Sequence, residues 1–257
     1  MVRKWEDVTL GMYIEIIDVM KDSDPEESDG SLEIISVILD KSLDDVREMD
    51  YDDYLKVVNR IKFMNEPIPS NVSNTITLSG VTMELLPFNQ LEFGAFIDIE
   101  HYFADKNNYT HNLPKIFSIL YRQVVTPSDT LNNATYEPYG DWLDIRGILF
   151  EKVPVTAVYG LVTQYMNFRS KIYKNYEGLF QEKEEALSEE DELEITKGMT
   201  SKEREGYEHE KAVGNYGWDL FLLRLANNDP LKMMEATKLP IIFALNILGM
   251  QNTLRMS

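Results

Sequence analysis

The sequence predicts a mainly α-helical protein carrying one small β-hairpin, at about residues 74–86. Three observations lead there. Apolar residues recur at helical spacing through most of the 257-residue chain. Strict alternation replaces that period only once, around Ser79-Gly80. Apolar residues make up 44% of the chain, enough to build a core and too many for wholesale disorder.

Residues 1–66 read as an N-terminal helical module. Leu10, Tyr13, Ile14, Ile17 and Met20 share one helical face, with Thr9 placed as the N-cap. Asp24 to Gly30 mixes breakers and charge, so it is a loop. Leu32, Ile35, Ile38 and Leu39 form a second apolar stripe, and Ser42-Leu43-Asp44-Asp45 opens a short third helix as a capping box with Asp45 in place of Glu. A fourth helix follows Asp50 with Tyr54, Val57, Val58, Ile61 and Met64 on one face, and ends before Pro67. Short amphipathic helices of this kind are stable only when packed together.

Residues 67–181 hold the hairpin, then helices and a long loop. A lone hairpin is marginal in water, so this one must pack on helices or pair with another strand. Asp98–Phe103 reads as one or two helical turns. Leu113 to Val125 reads as an amphipathic helix with Pro114 in its first position. Residues 126–141, rich in Pro, Asn, Thr, Asp and Tyr, form a loop whose length suggests a functional or partner-bound segment. Trp142–Glu151 and a long helix from Pro154 to about Tyr176 follow. Residues 182–210 form an acidic excursion. Residues 211–257 supply C-terminal helices packing on the body, Trp218–Leu225 and Pro240–Leu248, parted by the turn Asn227-Asn-Asp-Pro230.

Charge narrows the function. The 44 acidic and 25 basic side chains leave a net of −19, concentrated in residues 1–66 and in 182–210, where 12 acids meet 4 bases. Neither block offers the basic face that nucleic-acid binding requires. The second could dock a basic partner, with Glu184, Glu185, Glu189, Glu190, Asp191 and Glu192 as its contacts. The absence of cysteine excludes disulfides, thiolate metal sites and cysteine nucleophiles. No 18 consecutive residues are apolar and the opening residues lack a signal-peptide core, which predicts a soluble chain without a membrane span.

No catalytic constellation emerges. His101 lies three residues from Asp98, but no second histidine pair joins them, and His111 and His209 sit in polar segments. Asp141 and Asp144 flank Trp142 beside Tyr136 and Tyr139, in the manner of a sugar-binding groove. Aromatics of this kind more often anchor packing. Glycine-rich phosphate loops and nucleophile elbows are missing. The sequence therefore calls for no catalytic residue, cofactor or metal. Tyr136, Tyr139 and Trp142, set in a polar stretch, are candidate interface anchors.

Two segments carry a resemblance. The first is Trp5-Glu-Asp-Val-Thr-Leu-Gly-Met-Tyr13 with Ile34–Leu39 and Ser42–Val46. It resembles the N-terminal helical module of small structural and tail-assembly proteins of tailed bacteriophages. The second, Tyr216-Gly-Trp-Asp-Leu-Phe-Leu-Leu-Arg-Leu-Ala-Asn-Asn-Asp229, is similar to a C-terminal helix in the same gene sets, including the crAss-like group. Together they cover about a third of the chain. The resemblance implies a non-enzymatic virion component, a homo-oligomeric ring or barrel of the tail or neck, bound to other phage structural proteins. The alternative it implies is a tail-assembly chaperone in the host cytoplasm. A carbohydrate-active enzyme ranks third. An acidic lumen would let DNA slide without sticking.

Overall fold

The structure, a computed structural model, describes residues 2–22, 30–126, 135–140, 142–180 and 217–256. The loop at Asp24–Asp29, most of the 126–141 loop and the whole acidic segment 182–210 lie outside the described residues. The protein is mainly α-helical with one small antiparallel sheet. Contacts divide the chain into two units, Met1–Phe88 with Asp98–Asn167, and Asn89–Ile97 with Phe168–Ser257.

The first unit opens with α1 (Leu10–Asp22), whose first turn is capped by Thr9 as its Oγ1 accepts from the Met12 amide. Helices α2 (Gly30–Leu39), α3 (Leu43–Arg47) and α4 (Tyr51–Arg60) follow, and a 3₁₀ turn continues α4 to Asn65. Ser42 caps α3 by accepting from the Asp45 amide at 3.1 Å. These short helices share a small core of Ile35, Val46 and Val57, bordered by Leu32, Leu39 and Tyr54.

The hairpin forms where the period changes. Strands β1 (Thr75–Leu78) and β2 (Val81–Leu85) are joined by Ser79 and Gly80, both at positive φ (48° and 85°), as a tight two-residue turn requires. Two further strands extend it, giving the sheet order β1-β2-β3-β4, antiparallel throughout. Here the expected helix over 113–125 is corrected. Helix α6 spans Tyr109–Leu120, and Tyr121–Thr126 leaves it as β3, pairing Tyr121 with Leu85 and Gln123 with Met83. The stretch Tyr-Arg-Gln-Val-Val-Thr is aromatic and β-branched, and a hairpin gains stability from a third strand. Pro114 is the sixth residue of α6 rather than its first, since hydrogen bonding already begins with the Asn112 amide on the Asn108 carbonyl. From the expected long loop, Thr135–Tyr136 forms β4 against β3.

Helix α5 (Phe93–Ala104) is longer than the turn or two expected, because Phe93, Ala95, Phe96 and Ile99 are all buried. Helices α7 (Leu143–Phe150) and α8 (Val155–Asn175) follow, and α6 packs along α7. The first unit's core gathers Leu10, Ile116, Phe117, Tyr121, Phe150, Val158, Leu161 and Tyr165. Gly160 on α8 lets the chain leading into β1 pass close by: a Cβ there would stand 2.4 Å from the Ser70 carbonyl oxygen.

The second unit contains the start of α5, the end of α8, and helices α9 (Gly217–Leu225), α10 (Met233–Ala236) and α11 (Ile241–Met256). Trp218 is its aromatic hub, with edge-on contacts to Phe93, Phe96, Phe180 and Phe221 at 5.5–5.9 Å. The expected turn is present. Asn227 and Asn228 adopt positive φ, and Asp229 accepts from the Leu231 amide at 3.1 Å.

Candidate functional site

Two of the three predicted aromatic anchors, Tyr139 and Trp142, converge on two arginines of the first unit. Arg122 on β3 is fully buried. Its Nε donates to the Ile119 carbonyl at 2.7 Å and its Nη1 to the Glu137 carbonyl at 3.0 Å. Its guanidinium faces the rings of Tyr139 and Trp142 at 5.3 and 5.2 Å. Arg146 on α7 stacks on Trp142 at 3.6 Å and grips the Glu137 carboxylate with both Nη groups, Nη2 to Oε2 at 3.0 Å. Oε1 of Glu137 also accepts from the Gln123 amide on β3 at 2.9 Å. The Tyr139 hydroxyl donates to Asp98, and burial together with that carboxylate pushes the phenol well above its ordinary value.

Trp142 and Tyr139 are thus half-buried parts of a clasp that ties β3, residues 137–140 and α7 together. Tyr136 lies on β4 opposite Val124, half-exposed, its phenol raised by burial and then by Glu84. The acidic candidates Glu184, Glu185, Glu189, Glu190, Asp191 and Glu192, and also Asp141 and His209, lie outside the described residues. Asp144 pairs with Lys115 at 3.0 Å, and His111 with Asp18 at 2.9 Å. Among the described residues, no three His, Asp or Glu side chains are arranged to hold a metal ion.

What the clasp presents is the other side of α7. Arg146, Gly147 and Phe150 face inward, whereas Ile145 and Ile148 are 72% and 59% exposed. Ile145, Ile148, Leu149 and Lys152 fall at i, i+3, i+4 and i+7, a single helical stripe continued into the turn after α7. Leu149 and Lys152 also line a groove of about 340 Å³, and its opposite wall is β1 from Thr75 to Leu78.

That wall is a sheet edge. The Leu85 amide donates to the Asn74 carbonyl at 2.8 Å, so hydrogen-bonded pairs alternate at Asn74–Leu85, Ile76–Met83 and Leu78–Val81. Thr75 and Thr77 consequently turn their amides and carbonyls away from β2, and among the described residues no strand pairs with them. Ile76 and Leu78 are buried while both threonines are exposed. From Asn74 to Ser79 this edge has no charged side chain, no proline and no bulge, the usual devices that keep edges from pairing. Sequence reasoning missed both the clasp arginines and this surface. The i, i+3, i+4, i+7 stripe and the uncharged Thr-Ile-Thr-Leu run were the legible signals.

No protein-family model, no curated protein and no solved structure matches the chain. No described helix is long and apolar enough to cross a membrane.

Proposed function

We propose that the chain is a non-enzymatic structural subunit acting through protein–protein assembly, and that the α7 stripe with the β1 edge is the face it uses. The observation that carries this reading is their continuity. An unpaired, uncharged strand edge opens into a groove whose far wall runs directly into two exposed isoleucines. An added strand, 4.7–4.9 Å from β1, would bond to Thr75 and Thr77 while its apolar residues met the groove. Covering both isoleucines contributes roughly 2–4 kcal/mol.

The partner is another copy of the chain. Copies of net charge −19 repel one another, and the edge from Asn74 to Ser79, which has no charged side chain and shares its groove with Lys152, adds nothing to that repulsion. Tyr139 and Trp142 act in this interface through the placement of α7, and Tyr136 stands on the same sheet's opposite edge strand. The setting that the sequence resemblance supports is the tail or neck of a tailed-phage virion, as a ring subunit.

Two variants test the face. Thr77→Pro removes an outward amide without breaking the β1–β2 ladder, and Ile145→Glu/Ile148→Glu charges the stripe. Both should reduce the mass seen by light scattering while leaving the circular dichroism helical. A mass unchanged by both variants, or a wild-type monomer at high concentration, refutes the reading. The virion setting is tested separately by mass spectrometry of purified particles, which should contain the chain stoichiometrically.

A further inference from the structure

Helix α11 of the second unit is apolar on two sides. Ile241, Ala244, Leu245 and Leu248 are fully buried. On the opposite side Phe243, Met250 and Leu254 are 54%, 66% and 73% exposed, with Ile247 half-buried among them. At 3.6 residues per turn these four lie within about 60° of one another, a narrow stripe along a helix about 24 Å long. A helix apolar all round belongs where both sides are covered, and a contiguous exposed stripe marks an interaction surface.

The spacing selects the occupant. Positions 243, 247, 250 and 254 are 4, 3 and 4 residues apart, the 3.5-residue repeat by which one helix seats its side chains between those of another. The stripe also matches itself when reversed. Laid antiparallel, Phe243 falls opposite Leu254 of a second copy and Ile247 opposite its Met250, so every layer finds an apolar counterpart under one two-fold axis. Charge agrees. The chain nets −19, yet no residue from Ile241 to Met256 is acidic, and the bordering Asn246, Gln251 and Thr253 are uncharged. Two copies meeting here bring no carboxylates of this helix together. The Asn246 Oδ1 already accepts from the Tyr176 hydroxyl at 2.8 Å, and the Thr253 hydroxyl donates to the Gly249 carbonyl at 3.1 Å, so covering the stripe strands neither oxygen. An antiparallel arrangement holds the one charged position of the helix, Arg255, about 20 Å along the axis from its counterpart, where a parallel one sets the two level. We infer that this stripe of α11 is the seam of an antiparallel, two-fold contact with α11 of a second copy of the chain.

The contact does not rest on the β1–α7 face, and its test disables that face in the full chain with Thr77→Pro and Ile145→Glu/Ile148→Glu. This background should still dimerise in analytical ultracentrifugation. Adding Ile247→Glu/Met250→Glu should weaken the dimer about 100-fold or more, each change occurring twice in a symmetric contact, with the circular dichroism unaltered. The chain has no cysteine, so introduced cysteines report register in the otherwise wild-type protein. Phe243→Cys chains mixed with Leu254→Cys chains should form a disulfide-linked mixed dimer on mild oxidation, while neither links to itself. A background chain that stays monomeric while the wild type associates overturns the seam and leaves the β1–α7 contact standing. A dimer indifferent to the two glutamates overturns it too, and Phe243→Cys linking to itself overturns the antiparallel direction. Binding to neutral phosphatidylcholine vesicles that Ile247→Glu/Met250→Glu abolishes, with dimer mass unmoved, overturns a second copy as the occupant in favour of a lipid surface.

Discussion

Arg146→Ala isolates the clasp. The Arg146 side chain is only 11% exposed and that of Glu137 only 16%, so the pair is largely desolvated. Truncation leaves the Glu137 carboxylate with the Gln123 amide on one oxygen and without the cation it is paired with. Breaking a fully buried pair costs about 3–5 kcal/mol, and the residual exposure puts this one near the lower end. Loss of the 3.6 Å stack on Trp142 adds about 1 kcal/mol. The expected total is about 3–5 kcal/mol, read as a lower denaturation midpoint at constant m-value in urea. The double variant Arg146→Met/Glu137→Leu should recover most of that loss, because it removes the stranded charge with the pair and keeps apolar volume. A single-variant loss below about 1 kcal/mol would refute the reasoning. A double variant as unstable as the sum of its two single changes would do the same.

Two further outcomes follow from individual contacts. Gly160→Ala would place a methyl 2.4 Å from the Ser70 carbonyl oxygen and 3.0 Å from Val72 Cγ2, displacing the chain that leads into β1; a loss of about 1–3 kcal/mol by thermal unfolding is expected, and a neutral result would show that this crossing yields freely. Burial, then the neighbouring phenols Tyr159 and Tyr109, push Tyr13 from 10.0 up to about 12, and burial also raises Tyr121. The folded state therefore keeps protons that the unfolded chain releases, so stability holds below pH 10 and falls as pH rises from 10 through 12. Absorbance of ionised tyrosine should lag behind that of the unfolded chain over this window, and coincident titrations would contradict it.

The helices, their caps and the hairpin turn were legible in the sequence because each depends on neighbours a few residues apart. Thr9 and Ser42 cap helices that their own side chains can reach, and Ser79-Gly80 supplies positive φ without help from elsewhere. The end of α6 was not legible. Residues 113–125 satisfy a helical period throughout, yet the chain becomes a strand at Tyr121, because β2 offers a ladder partner some forty residues upstream. The same limit applied to the site. Tyr139 and Trp142 were visible as aromatics in a polar stretch, but their partners Arg122, Arg146 and Asp98 are brought to them only by the fold. Periodicity records which side of an element is apolar. Which apolar sides are covered, leaving Phe150 buried and Ile148 exposed on one short helix, is decided by long-range packing that no local pattern contains.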